Sequence, residues 1–515
     1  MKKFTKRSTK RSTKRSTKRS TKRKFRKTTQ RFRTTKRKRG GSPELFVAVH
    51  DQNEDTVRTL LQNPDLNPNE VSPMHGKTVL IIAAELGYVP VLRLLLADER
   101  VDPNMTDQNG RTALIFAVYK GNNQVVRWLL NDERVNPNMA NQKGVTAFMY
   151  ATAKGDTSVV TLLLADRRVA PNMTSQEGDT ALMIAAQEGH TDVMNALLTD
   201  GRVNPNMATQ NGHTALMFAA HKGHTDVVKV LLADGRVDPS TASQSGMTAL
   251  MIAAQQGHAP VVTLLMADDR VDPSTANQNG STALILASDR GHAPVVALLL
   301  DNWRVRPNVV DQHGYTALMW AVDKGYIEVV KLLLGDKRVN PNLRDNEEGK
   351  TALIIATIQG NVQIVTMLLA NERVDPNMVD RDNDSALINA AVMEGEGDII
   401  EDNEGKTVLD VLLAHHRVTR TRPTDDHGPA AQYAYDNALR NVKRLRNALF
   451  KGLVRTAIVG DRMRRRAAEA AYAPGGAGFV TAQESFNAGV ANQERDKNAA
   501  AAAAGGGEGK GGGGK

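Results

Sequence analysis

The chain has 515 residues, too many for one compact core and suited to several domains or one long array. It has no cysteine, which excludes disulfide frameworks, thiolate zinc sites and cysteine nucleophiles, and its 41% apolar content with only 4% aromatics favours small stacked helices over a β-sandwich. The net charge of +11 conceals three different parts: residues 1–39 carry 21 Lys and Arg and no acid, residues 40–416 carry 29 basic and 47 acidic residues, and residues 417–515 carry 17 basic and 9 acidic residues.

Residues 1–41 are low complexity. Thr-Lys-Arg-Ser runs in tandem from Thr5 to Ser20, and a denser basic stretch follows. With almost nothing to bury, this segment is expected to be a disordered basic arm. Two clusters, Lys22-Arg23-Lys24 and Lys36-Arg37-Lys38-Arg39, suit nuclear import or non-specific contact with nucleic-acid phosphates. A solvated extension with no partner is the alternative. The arm has no apolar core of the kind a secretory signal needs, so the protein is expected in the nucleus or cytoplasm and not to be secreted. No apolar run reaches the roughly 18–20 residues that would span a bilayer.

From Gly76 a strict period begins. Gly-x-Thr recurs at Gly76, Gly110, Gly144, Gly178, Gly212, Gly246, Gly280 and Gly314, always 34 residues apart. Gly349 comes one residue late, after the extra acid in DNEEGKT, and the next position is Asn383. The unit GDTALMIAAQEGHTDVMNALLTDGRVNPNMATQN from Gly178 predicts two helices. TALMIAAQ has one apolar face and stops at Gly189, and HTDVMNALLTD sets Val193, Met194, Leu197 and Leu198 at i, i+1, i+4, i+5 spacing. The rest is a Gly-, Pro- and Asn-rich turn or extended finger. Neither helix is long enough to stand alone in water, so the units must stack into a solenoid.

The pattern G-x-T-A-L-x-x-A-x-x-G-H-x-x-V-V-x-L-L-L closely resembles the ankyrin repeat over residues 43–416, about three-quarters of the chain. The resemblance implies an all-α ankyrin-repeat solenoid, with helix-turn-helix units and protruding β-turn or hairpin fingers. The expected array spans residues 42–416: a capping unit from Glu44 to Asn69, about nine full repeats, a degenerate unit after Asn383 and a shortened last one from Asn403 to His416. Two departures stand out. The period is 34, attributed to a longer finger around RVDPN. Met183, Met217, Met251, Met319 and Ile115 stand where the family has a His, so the usual inter-repeat His ladder is expected to be replaced by apolar packing.

A linker is expected at 417–429, a separate basic amphipathic helix at 430–472 and a flexible Ala/Gly-rich tail at 473–515. Within the helix, Ala438, Leu439, Val442, Leu445, Leu449, Leu453 and Val454 form the apolar stripe. It would pack on the last repeat or meet a partner.

No catalytic, cofactor-binding or metal-binding set emerges. Gly-Lys-Thr at Gly76, Gly349 and Gly405 lacks the Gly that a phosphate loop needs five positions earlier, where Val71, Arg344 and Ile400 stand. His190, His224, His258 and His292 recur one per repeat, too far apart to share a metal, and are expected to cap the second helices.

Partner-binding residues in the family usually sit at fingertips and on the first-helix face. The fingertip candidates are Asp107, Arg111, Asn141, Lys143, Glu177, Asp179, His213, Met247, Asp311, His313, Tyr315, Asp345 and Lys350. Those on the first-helix face are Tyr119, Lys120, His221, Lys222, Asp289, Arg290, Asp323 and Lys324. The resemblance implies a non-catalytic scaffold that binds protein partners on its concave face. The arm would add nuclear targeting or nucleic-acid binding. An adaptor recruiting substrates to a modifying complex such as a ubiquitin ligase, through the C-terminal helix, is the second reading. The arm is also expected to compete for acids on the fingers and turns, at Asp98, Asp107, Asp132, Asp268, Asp311, Asp345 and Asp380.

Overall fold

The computed structural model describes residues 42–396, 401, 406–420, 423, 427, 429 and 431–440. The arm, with Lys22, Arg23, Lys24 and Lys36 to Arg39, lies outside the described residues, as do most of the expected basic helix and the whole expected tail. The chain divides into two compact units at Asn389/Ala390.

The first unit is a run of short antiparallel helix pairs. It starts with Ser42–His50 and Glu54–Leu61, the expected capping unit, and repeats through pairs such as Ala181–Glu188 with Thr191–Thr199 and Ala215–Lys222 with Thr225–Ala233. Among the described residues there is no strand; the fingers carry only single antiparallel bridges, such as Ala140 with Thr146 and Ala208 with Thr214. The predicted glycine stop operates as written, and the structure adds a threonine start. Thr180 accepts a hydrogen bond from the Met183 amide at the start of its helix, and Gly189 closes that helix in the left-handed region with φ 75°.

The finger glycine is required twice over. Gly144 has φ 75°, and a Cβ there would come within 2.8 Å of the Gln176 amide nitrogen of the next finger. Where the sequence loses this glycine, Asn383 takes the same conformation with φ 64°.

The core is aliphatic and continuous. In the repeat from Gly178, Ala181, Leu182, Met183, Ala185, Ala186, Val193, Met194 and Leu197 are all buried. Each such stripe is covered by the neighbouring repeats, so apolar burial is the main source of stability.

Polar columns join the repeats as well. Ile115, Met183, Met217, Met251 and Met319 are buried apolar side chains, as expected, and a separate polar column is built by other histidines, whose expected capping role is corrected. His190, His224, His258 and His292 stand at the start of the second helices but make no capping bond there. Their Nε2 atoms lie 3.0–3.2 Å from the carbonyls of Ala153, Gln187, His221 and Gln255 in the preceding repeat. The rings also sit against glycines of that repeat: a Cβ on Gly223 would meet the His258 ring at 2.6 Å.

An arginine column is denser. Arg168 Nη2 donates to the Leu130 carbonyl at 2.6 Å and Nη1 to that of Val135 at 3.0 Å, both in the preceding repeat. The same fork is gripped by the Asp166 carboxylate at 2.7 Å. Arg100, Arg134, Arg202, Arg236, Arg270 and Arg338 repeat the arrangement, and Arg304 and Arg373 keep the bonds to the preceding repeat with Asn302 and Asn371 in the aspartate's place. The carbonyl that Nη2 reaches, Leu130 for Arg168, ends the second helix of the preceding repeat, where the last carbonyls lack helical partners and a cation suits the helix dipole, while Val135 lies in the loop beyond. The loop that lengthens the period to 34 thus carries a clamp.

An asparagine column runs beside it. Asn138 donates to the Arg168 carbonyl at 2.7 Å and accepts from the Ala170 amide at 2.8 Å. Asn104, Asn172, Asn206, Asn308 and Asn342 do the same. Ser274 keeps the rung, but Ser240 turns to Asp238 at 2.6 Å, so the column is interrupted between the repeats on either side. Ser240→Asn is therefore expected to stabilise the protein by about 1 kcal/mol, the contribution of one added hydrogen bond. The urea midpoint should rise with an unchanged slope. A midpoint at or below that of the parent chain would show that the neighbouring repeats are not limited by this rung.

The second unit contains the end of the helix Ala386–Glu396 and the helix Val408–Ala414, which Thr407 caps at the amide of Asp410. Residues 431–440 are helical, with Ala431, Tyr435 and Ala438 buried and the Tyr435 hydroxyl donating to the Arg420 carbonyl at 3.2 Å. The rest of the predicted apolar stripe, from Val442 onward, lies outside the described residues.

Candidate functional site

The candidate surface is the face formed by the fingers and the ends of the first helices. Each finger is folded by one polar residue at a fixed register. Asp107 accepts from the amides of Asn109 and Arg111 at 2.9 and 2.8 Å. Asn141, Ser175, Thr209, Ser243, Asn277, Asp311, Asp345 and Asp380 stand at the equivalent places and close the same turn. Four predicted contact residues, Asp107, Asn141, Asp311 and Asp345, therefore serve to shape the fingers. The three aspartates are buried.

The same finding weakens the expected contact between arm and finger acids. Asp98, Asp132 and Asp268 are each bound to the arginine two residues on, at 2.6–2.7 Å. Asp107, Asp311, Asp345 and Asp380 are committed to their turns. None of these seven presents an unshared carboxylate. Count of acids was visible in the sequence; their partners were not.

The remaining candidates differ in exposure. Tyr119, Lys120, Lys143, Glu177, His221, Lys222, Arg290, His313 and Lys324 are exposed, and Arg111, Asp179, His213, Met247, Asp289, Tyr315, Asp323 and Lys350 are half-buried. They fall into clusters of different character along the array.

The first cluster is basic and aromatic. Phe116 has Lys77 Nζ 4.4 Å from its ring centre and the Arg111 guanidinium 4.5 Å away. Tyr119 meets Tyr150 edge to face at 5.9 Å, and Tyr150 is fixed by Asn141 at 3.0 Å. Glu85 sits between Lys77 and Lys120, at 2.5 and 3.3 Å. Burial works to raise its pKa, but the two ammonium groups hold it below the ordinary glutamate value.

The middle of the face mixes signs. Burial, aided by Glu177, raises the Asp179 pKa, while His213 lies 6.1 Å from Phe218. Burial and the neighbouring Lys222 lower that of His221.

The last cluster, at the finger that breaks the period, forms a recess of about 250 Å³ lined by His313, Tyr315, Trp320, Asp345, Glu347, Glu348 and Lys350. Tyr315 and Trp320 meet edge to face at 5.1 Å, and the Trp320 indole donates to Asp311 at 2.8 Å. Asp345 accepts the amides of Glu347, Glu348 and Gly349, which wraps the longer turn and places both glutamates on the rim. His313 Nδ1 lies 2.7 Å from Glu347, and Lys350 pairs with Glu348. The Tyr315 phenol is pushed up to about 12, first by burial and then by Asp323, Asp345, Glu347 and Glu348. Sequence reasoning named His313, Tyr315, Asp345 and Lys350 but missed Trp320, Glu347 and Glu348; the late Gly349 was the available signal.

Among the described residues no group of His, Asp or Glu is placed to hold a metal ion, and no helix is long and apolar enough to cross a membrane. A family model described as ankyrin repeats, in three copies, matches residues 45–141, 133–209, 201–276, 250–345 and 337–401. No curated protein matches the chain.

Proposed function

Because the chain belongs to the ankyrin-repeat family, whose arrays are protein-interaction scaffolds and generally non-catalytic, we propose that its fingers and first-helix ends form the partner-binding face. The observation that carries this reading is the contrast between columns. The Arg column recurs without exception from Arg100 to Arg373, and the Asn column changes only at Ser240 and Ser274, because these residues hold repeats together. At the face the residue type changes from repeat to repeat, as at Arg111, Asp179, His213, Met247 and Tyr315, which share one register. Such variation gives each repeat its own chemistry, and a partner spanning several repeats reads them in series. The arm, with its 21 cations, places the complex on nucleic acid or in the nucleus. Its clusters Lys22-Arg23-Lys24 and Lys36-Arg37-Lys38-Arg39 are the import or phosphate contacts.

The absence of cysteine makes the face directly testable, since any introduced thiol is unique. Lys222→Cys lies on the face, whereas Lys229→Cys lies on the exposed side of the second helix of the same repeat. Each full-length variant, labelled with a benzophenone maleimide and irradiated in cell extract, should give protein adducts mainly from position 222. Equal adduct yields from both positions would contradict the assignment of the face.

A further inference from the structure

We propose that the recess at Tyr315 and Trp320 is a receptor for one Lys or Arg side chain of the protein partner. The proposal deepens the reading of the face as a protein-binding surface and rests on it.

Four observations converge. The first is charge. Three carboxylates, those of Asp345, Glu347 and Glu348, line the recess, with Lys350 as its one ammonium. Asp311 lies behind Trp320, where it accepts the indole N–H at 2.8 Å. The exposed carboxylates of Glu347 and Glu348, which now pair with His313 and Lys350, are the groups an incoming cation reaches, the buried Asp311 and Asp345 add only their field, and a phosphate is repelled.

The second is the aromatic pair. Tyr315 and Trp320 stand nearly perpendicular, at 85°, and Asp311 fixes the indole through its Nε1–H. A fixed electron-rich ring beside carboxylates is the environment that ammonium and guanidinium groups favour. The chain's own cations already use it: Lys324 Nζ lies 5.1 Å from the Trp320 ring centre, and Lys350 pairs with Glu348. Both lysine chains are flexible, and Lys324 is exposed, so they can yield to a partner's cation.

The third is size. A recess of about 250 Å³ is smaller than the roughly 300–1,000 Å³ of small-molecule sites and suits a single long side chain.

The fourth is the break in period. From Gly76 to Gly314 every finger has the same length; the finger at Asp345–Gly349 has one residue more. The added residue is acidic, and the turn that accommodates it puts Glu347 and Glu348 on the rim. The insertion leaves the closure of the finger intact: Gly349 keeps the left-handed conformation, with φ 73°, and the Glu348 carbonyl accepts from the Arg381 amide of the next finger at 2.8 Å.

The recess can be read through Trp320. The chain has three tryptophans, and Trp128→Phe with Trp303→Phe leaves Trp320 as the sole reporter; both replaced rings are exposed and lie away from the recess. The full-length double variant would be titrated with the blocked peptides Gly-Ser-Lys-Ser-Gly, Gly-Ser-Arg-Ser-Gly and Gly-Ser-Gln-Ser-Gly. The expected result is a saturable change in Trp320 emission with the Lys peptide, the Arg peptide or both, and none with the Gln peptide. Adding Glu347→Gln and Glu348→Gln should weaken that response at least tenfold, with the circular dichroism spectrum unchanged. A response equal for Lys, Arg and Gln peptides, no saturable response, or one that survives loss of the two glutamates would overturn the proposal. If these titrations fail while position 222 still yields adducts, only the ligand assignment falls and the partner-binding face stands.

Discussion

Arg168→Ala is expected to destabilise the array by about 2–4 kcal/mol, more than a surface arginine ordinarily contributes. The guanidinium bonds the carbonyls of Leu130, Glu133 and Val135 and the carboxylate of Asp166 at once. Truncation leaves helix-end carbonyls short of donors at a repeat boundary and Asp166 without its cation. Arg168→Lys keeps the charge but not the planar fork, and should recover less than half of the loss. Urea unfolding followed by circular dichroism measures both. Equal midpoints for Arg168→Ala and the parent chain would mean that the column contributes nothing and that apolar stacking alone sets the boundary.

The same column gives the protein an acid limit. Asp98, Asp166, Asp200, Asp234, Asp268 and Asp336 are held below the ordinary aspartate value of 3.8 by the side-chain hydrogen bond from the arginine two residues on. At Asp132 burial opposes the shift and Arg134 still prevails. A carboxylate whose folded pKa is depressed adds stability above its unfolded pKa and loses it as the pH falls through the folded one. Stability should therefore decline below about pH 4, and Asp166→Asn should make that decline shallower.

The largest effect on binding is expected at the arm. If it meets even 6 phosphates, the affinity of the full chain for duplex DNA should fall about 1,000-fold between 50 and 200 mM salt, a log–log slope near roughly −5. A chain starting at Ser42 should lose most of that affinity, since residues 40–416 are net acidic. Little sequence preference is expected, because the phosphate term carries no sequence information. Fluorescence anisotropy with two unrelated duplexes across a salt series checks both points. Equal affinity of the two chains, or binding that salt leaves unchanged, would remove nucleic acid from the proposed function.

The finger that breaks the period illustrates how sequence and structure divide the information. Gly349 arriving one residue late was legible, but its meaning was not. Only the folded turn shows that Asp345 gathers three amides and lifts Glu347 and Glu348 to the rim of the Tyr315–Trp320 recess. Likewise Asp107 and Asp311 read as exposed fingertip acids, because turns rich in Asp are commonly solvated. In the structure they are buried turn closers.

The sequence by itself determined the repeat. Period, helix starts at Thr, helix stops at Gly and the apolar stripes are local signals, and each depends on residues within a few positions of one another. Even the polar columns were present as recurring letters, with Arg two residues after Asp and His after Gly at steps of 34. Their roles were decided by the tertiary structure alone. Arg168 finds its acceptors 33 to 38 residues away, and His224 finds its acceptor 37 residues away. A one-dimensional pattern reports which residue recurs, whereas a hydrogen bond between stacked repeats depends on the distance and direction that the stacking itself creates.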